Sequence, residues 1–175
     1  MSTKLTSCDI FQRSSPALTA SLLSYLFEKE KPLYKATIEA IAKQRKLRPI
    51  FIERKPRDER HAWMHEALGR KASDAIAGHI LQIWLVGKHT ALLCDFLDGL
   101  GIKHDENGTV EQLPPQPEKA LLEKVIGDLL QKHDPETVAV YLHAFQALNE
   151  TGWTTLDEVL QSDERVQLGK PAAIS

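Results

Sequence analysis

Apolar positions recur at helical spacing along almost the whole chain. The densest stretch, Ala75 to Leu100, reads AIAGHILQIWLVGKHTALLCDFLDGL. Between Ala75 and Gly87 only His79 and Gln82 are polar, which predicts a helix with neighbours on most sides. Gly87 and Lys88 interrupt the run. Leu93, Phe96, Leu97 and Leu100 then share one face, opposite Asp95 and Asp98. The two halves predict a buried helical hairpin on which the other helices pack, with His79 held inside by a backbone carbonyl.

Upstream, residues 1–14 lack this spacing and read as a loose N-terminus. Ser15-Pro16 is a helix start, because serine accepts from a free amide and proline at the first position loses no bond. Leu18, Leu22, Leu23, Leu26 and Phe27 carry that helix to about Glu30, and a second from Pro32 to about Lys46 offers Leu33, Tyr34, Ile38 and Ile41. Pro49 and Pro56 bracket the β-prone Ile50-Phe51-Ile52, which predicts an extended connector, with a short helical turn as the alternative. A third helix runs from about Arg57 to Leu68, and Ser73 is placed to cap the central one.

Downstream, Asn107-Gly108 is the sharpest turn signal, and at most one small β-hairpin is expected near 102–111, closed by Pro114, Pro115 and Pro117. Glu118 to His133 is amphipathic through Leu121, Leu122, Val125, Ile126, Leu129 and Leu130. Asp134-Pro135-Glu136 starts the next helix, which ends near Asn149 before a turn at Thr151-Gly152. Thr155 to Glu158 suits a capping box for a last short helix. The pattern therefore predicts an all-α fold: a bundle or short superhelix of about seven to eight helices in antiparallel pairs. It occupies one domain, 15–165, with a loose tail over 166–175. The spacing of Ile76, Ile80 and Ile83 returns in Val138, Leu142 and Phe145, an echo that stacked helix pairs would explain as readily as chance would.

Composition changes this picture little. A chain of 175 residues, 42% of them hydrophobic, suits a single folded domain. Two cysteines, Cys8 and Cys94, make no disulfide framework and suggest a reducing compartment. The N-terminus has no apolar core of signal-peptide length, and no apolar run spans a membrane. The expectation is a soluble cytoplasmic protein with no membrane partner. Charge changes the picture more. Met1 to Lys71 holds 15 Lys and Arg against 8 Asp and Glu, hence +7, and Ala72 to Ser175 holds 7 against 16, hence −9. Such a split suits either a charged partner or two halves that attract each other.

Three constellations could carry chemistry. Lys43, Arg45, Lys46, Arg48, Arg54, Lys55, Arg57 and Arg60 crowd one segment beside Phe51 and Trp63, a pattern able to bind phosphates and stack bases. Glu53, Asp58 and Glu59 dilute it, and no named nucleic-acid module is visible. His61 and His65, four apart on a helix, could grip one metal ion if the fold brought further ligands, or could simply lie on its polar surface. Asp95 and Asp98 share a face and could do acid–base work, or be solvated. There is no phosphate-binding glycine loop and no nucleophile elbow, and Cys94 lacks a thiol-enzyme signature. No cofactor is implied. The leading expectation is a non-enzymatic helical interaction module whose partner is another protein. The alternatives are a nucleic-acid binder using 43–60 and a metal-dependent enzyme with ligands at His61 and His65.

Overall fold

The computed structural model describes residues 5–111, 115–148 and 153–169. Among them the protein is all-α, with ten α-helices, two 3-10 turns and no strand. No single helix among these residues is long and apolar enough to cross a membrane. Pro114, Asn149 and the turn expected at Thr151-Gly152 lie outside the described residues. The described residues gather into two compact units, Thr6–Trp84 and Leu85–Leu168, each extended by terminal residues.

The first unit begins with α1 (Ser7–Arg13), where the sequence pattern suggests an irregular stretch. Its signal is polar rather than periodic. The Thr6 hydroxyl accepts from the Asp9 amide, and the Asp9 carboxylate accepts from the Thr6 amide at 3.0 Å, closing a capping box. The helix buries Cys8, Ile10 and Phe11. In α2 (Pro16–Lys29) Ser15 caps as expected, accepting from the Leu18 amide at 3.1 Å. α3 (Lys31–Gln44) and α5 (Arg57–Leu68) pack on α2, and α1 packs on α5. The expected extended connector between them is instead the short helix α4 (Pro49–Glu53), the alternative that proline at the first position allows. α6 (Asp74–Gly87) follows a 3-10 turn over Lys71–Ser73. Ser73 does not cap it in the expected way: its hydroxyl donates to the Ala67 carbonyl and accepts from the Gln44 amide nitrogen.

α6 is one-sided rather than enclosed. Ala77, Ile80, Leu81, Trp84 and Leu85 are buried, whereas His79, Gln82 and Val86 are exposed. The polar residues that looked like interruptions of a buried helix mark its open face, and His79 is not a core histidine.

The second unit holds α7 (Thr90–Gly99), α8 (Lys119–Lys132), α9 (Pro135–Leu148), α10 (Thr154–Ser162) and a 3-10 turn over Glu164–Val166. α8 packs against α7, α9 and α10. Its core joins Phe96, Leu122, Ile126, Leu142, Leu156 and Val159, with Phe145 edge-on to Phe96 at 5.3 Å and 5.4 Å from Trp153. Residues 105–109 form a turn with no strand. The Asp105 carboxylate accepts from the Asn107 and Thr109 amides at 2.8 and 2.9 Å, and Gly108 takes φ 76°. Asp134 starts α9 as expected, accepting from the Thr137 amide at 3.0 Å. α10 starts differently. Thr155 makes no box; the Gln116 side-chain oxygen accepts from its amide, and its hydroxyl donates to the Pro117 carbonyl at 2.9 Å. The first residues of the expected tail are held, with Val166 fully buried and Gln167 donating to the Leu160 carbonyl.

Candidate interaction face

The basic segment straddles three elements of the first unit: the end of α3, α4 and the start of α5. Just past the end of α3, Lys46 takes φ 56° while the Leu47 amide donates back to the Ala42 carbonyl at 2.8 Å. That left-handed residue turns the chain sharply, a role glycine usually fills. α4 then seats Ile52 fully in the core and leaves Ile50 and Phe51 42% and 56% exposed. Leu47, three and four residues before them, is 37% exposed. The result is an apolar strip over the turn before a very short helix and its first residues.

Eight cations lie in the segment that carries this strip. Two of the eight have carboxylate partners: Arg45 lies 3.3 Å from Glu66, and Lys55 lies 3.1 Å from Glu59. The same two lie over the Trp63 ring, at 4.5 and 4.1 Å from its centroid. Arg57 stands over the Phe27 ring at 5.6 Å. Lys43, Lys46, Arg48, Arg54 and Arg57 are exposed and make no ion pair among the described residues. Arg60 is half-buried beside Tyr34. Arg54 lies one turn beyond Ile50 and Phe51, so the strip runs between charges at both ends.

Neither histidine of α5 lies free on a solvated face; each is bonded to a neighbouring helix. His61 is buried, and its Nε2 shares a hydrogen bond with the Tyr34 hydroxyl at 3.1 Å. His65 Nδ1 shares one with the Thr19 hydroxyl at 2.7 Å. Each ring thus reaches a different helix, α3 or α2, and ties α5 to it. Burial, and then Arg57 and Arg60, hold the His61 imidazole below its usual range; burial alone does so for His65. Among the described residues no three His, Cys, Asp or Glu side chains converge to hold a metal.

In the second unit Asp95 and Asp98 diverge. Asp95 pairs with His133 at 2.9 Å and Asp98 with His104 at 2.7 Å. The His104 imidazole is raised above its usual range, first by the Asp105 carbonyl and then by Asp98. An open cleft of about 910 Å3 runs past Leu100–Asp105, Thr109–Glu111 and Leu121. Of the titratable groups on its wall, Lys103, His104, Asp105 and Glu111, His104 pairs with Asp98, and Asp105 accepts from backbone amides that keep its carboxyl below the usual range. Cys94 is pushed up by burial and by Asp98, Asp95 and Asp105, which disfavours a thiolate nucleophile. Compared with protein-family models, curated proteins and solved structures, the chain matches none.

Proposed function

We propose that the protein is a non-enzymatic helical interaction module, and that its working face is the segment from Lys43 to Arg57. The observation that carries this is that Leu47, Ile50 and Phe51 are exposed within one short segment that also carries five exposed cations without a carboxylate partner among the described residues. Covering apolar surface is worth about 25 cal/mol per Å2, and unpaired cations around it add selectivity for what covers it. Elsewhere, His61, His65, His104, His133 and Asp105 each make a local hydrogen bond or ion pair.

The test is photo-crosslinking of the full chain in its source cells, with a benzophenone amino acid at Phe51 or, as control, at the exposed Ala36 of α3. The expected result is a protein adduct, identified by mass spectrometry, that forms from position 51, not from 36, and disappears in Leu47→Asp. Identical patterns from the two positions overturn the reading. A second reading, nucleic-acid binding through Lys43 to Arg60, is favoured by the unpaired cations alone. It predicts adducts with nucleic acid and an affinity that falls about a hundredfold or more between low and physiological salt.

A further inference from the structure

We infer that the partner presents a short acidic segment bearing bulky apolar side chains, and that it docks across Leu47, Ile50 and Phe51 with its carboxylates on Lys46, Arg48, Arg54 and Arg57. The inference rests on the interaction-module reading and names the chemistry of its partner.

Three observations select this partner over a phosphate backbone. First, two of the three strip residues are aliphatic, and Leu47 and Ile50 offer no ring on which a base could stack. Second, the aromatic rings nearby are already occupied. Arg45 and Lys55 stand over Trp63, and Arg57 stands over Phe27, which leaves Phe51 as a single platform. Third, Glu53 and Asp58 are exposed within the same segment, where a continuous chain of phosphates would meet them. An acidic peptide places its charges discretely and can leave those two positions to solvent.

The same geometry argues against a bilayer. Membrane-surface helices bury an apolar face roughly 5–10 Å deep, which needs protruding side chains along several turns. Here the helix has five residues, and Leu47 and Ile50 are each more than half covered by their own fold. Phe51 alone is more than half exposed, so the strip offers one protruding side chain where a bilayer needs several. An amphipathic helix, with anchors three and four residues apart, is one segment that presents bulky apolar side chains on a single face. Cations at both ends of the strip then favour carboxylates at both ends of that helix.

The experiment uses a synthetic amphipathic peptide with Leu and Phe at helical spacing and Asp and Glu elsewhere, titrated into the full-length protein by fluorescence anisotropy. Comparators are a poly-glutamate of equal charge, a scrambled peptide, a single-stranded oligonucleotide and phosphatidylglycerol–phosphatidylcholine vesicles. The parent should bind the amphipathic peptide at least about tenfold tighter than every comparator. Leu47→Asp with Phe51→Asp, and separately Arg48→Glu with Arg54→Glu, should each weaken it by about tenfold or more at an unchanged melting temperature. All four residues are exposed, so the variants are expected to fold. Equal binding of poly-glutamate, tighter binding of oligonucleotide or vesicles, no binding of the peptide, or variants that bind like the parent would each overturn the inference. So would self-association of the protein, seen in sedimentation and abolished by the same variants, because the occupant would then be a second copy. A peptide that fails while position 51 still crosslinks a protein leaves the interaction reading standing and removes only the partner's chemistry. Failure of both removes both.

Discussion

At the scale of single residues, polar side chains define this fold as sharply as apolar ones. The histidines show how. The spacing of His61 and His65 correctly puts both on one side of α5, but spacing cannot say whether that side faces water. The answer depends on Tyr34 and Thr19, which stand 27 and 46 residues away in sequence. The same limit applies to Asp95 and Asp98. They are neighbours on one helix, yet His133 and His104 draw them into separate pairs. Gly108 was legible: Asn-Gly marks a turn, and its φ of 76° suits glycine. A Cβ built there would lie 2.5 Å from the end of the Leu93 side chain, so space as well as backbone conformation opposes replacement. Gly108→Ala is expected to cost about 1–3 kcal/mol, read as a lower urea midpoint at unchanged slope. An unchanged midpoint would mean that the turn does not hold this conformation.

At the scale of elements, the apolar periodicity identified the long helices, most of which have one wet and one dry side. The runs around Leu22, Ile38, Ile126 and Leu142 are all helices, and the last, α9, has no exposed residue from Val138 to Ala147. Two shorter elements escaped it. α1 is seven residues long, less than two full repeats of a helical pattern, and its Thr6–Asp9 box was the available signal. α4 was obscured because Ile50-Phe51-Ile52 is β-branched and aromatic, yet Pro49 fixes the backbone for a first helical turn and Ile52 supplies the buried anchor. The interaction face inherits this difficulty. Its cations were visible in the sequence, but the exposure of Leu47 and Ile50 follows from the reversal at Lys46, and no residue type announces a left-handed lysine. That reversal is testable. A left-handed conformation disfavours any side chain with a Cβ, so Lys46→Gly should be more stable than Lys46→Ala by about 1 kcal/mol, though both remove the same charge. Chemical denaturation of the two variants side by side checks it. Equal stabilities would place the strip on a differently shaped turn.

At the scale of the molecule, the net charge of −2 conceals the opposed charges of the two halves, +7 and −9. The ion pairs that Arg45 and Lys55 make stay within the first unit, so most of its basic segment keeps its charge for solvent or a partner. The boundary between the compact units falls inside α6, where continuous helical periodicity leaves no trace of it in the sequence. A further property of the whole chain is its response to acid, and its sign follows from the histidines. His89 is pushed down to about 4, first by burial and then by Lys88 and His133. His61 and His65 are lowered as well. An unfolded histidine titrates near 6.5, so between about 6.5 and 4 the unfolded chain binds protons that the folded one refuses. Stability that is complete above 6.5 therefore falls as the pH drops through this window. His104 acts with the opposite sign. Its folded value is raised by the Asp105 carbonyl and Asp98, so its contribution is complete below about 6.5 and fades as the pH rises through the raised value. Urea midpoints measured across this range should thus decline on acidification before most carboxylates protonate. His89→Gln should flatten the decline between about 6.5 and 4, because glutamine takes up no proton in either state. His104→Gln should leave that decline in place and remove the loss of stability above about 6.5. A His89→Gln profile that superimposes on the parent's would show that the imidazole is as free to protonate in the folded chain as in the unfolded one, against the burial that the packing around α7 gives it.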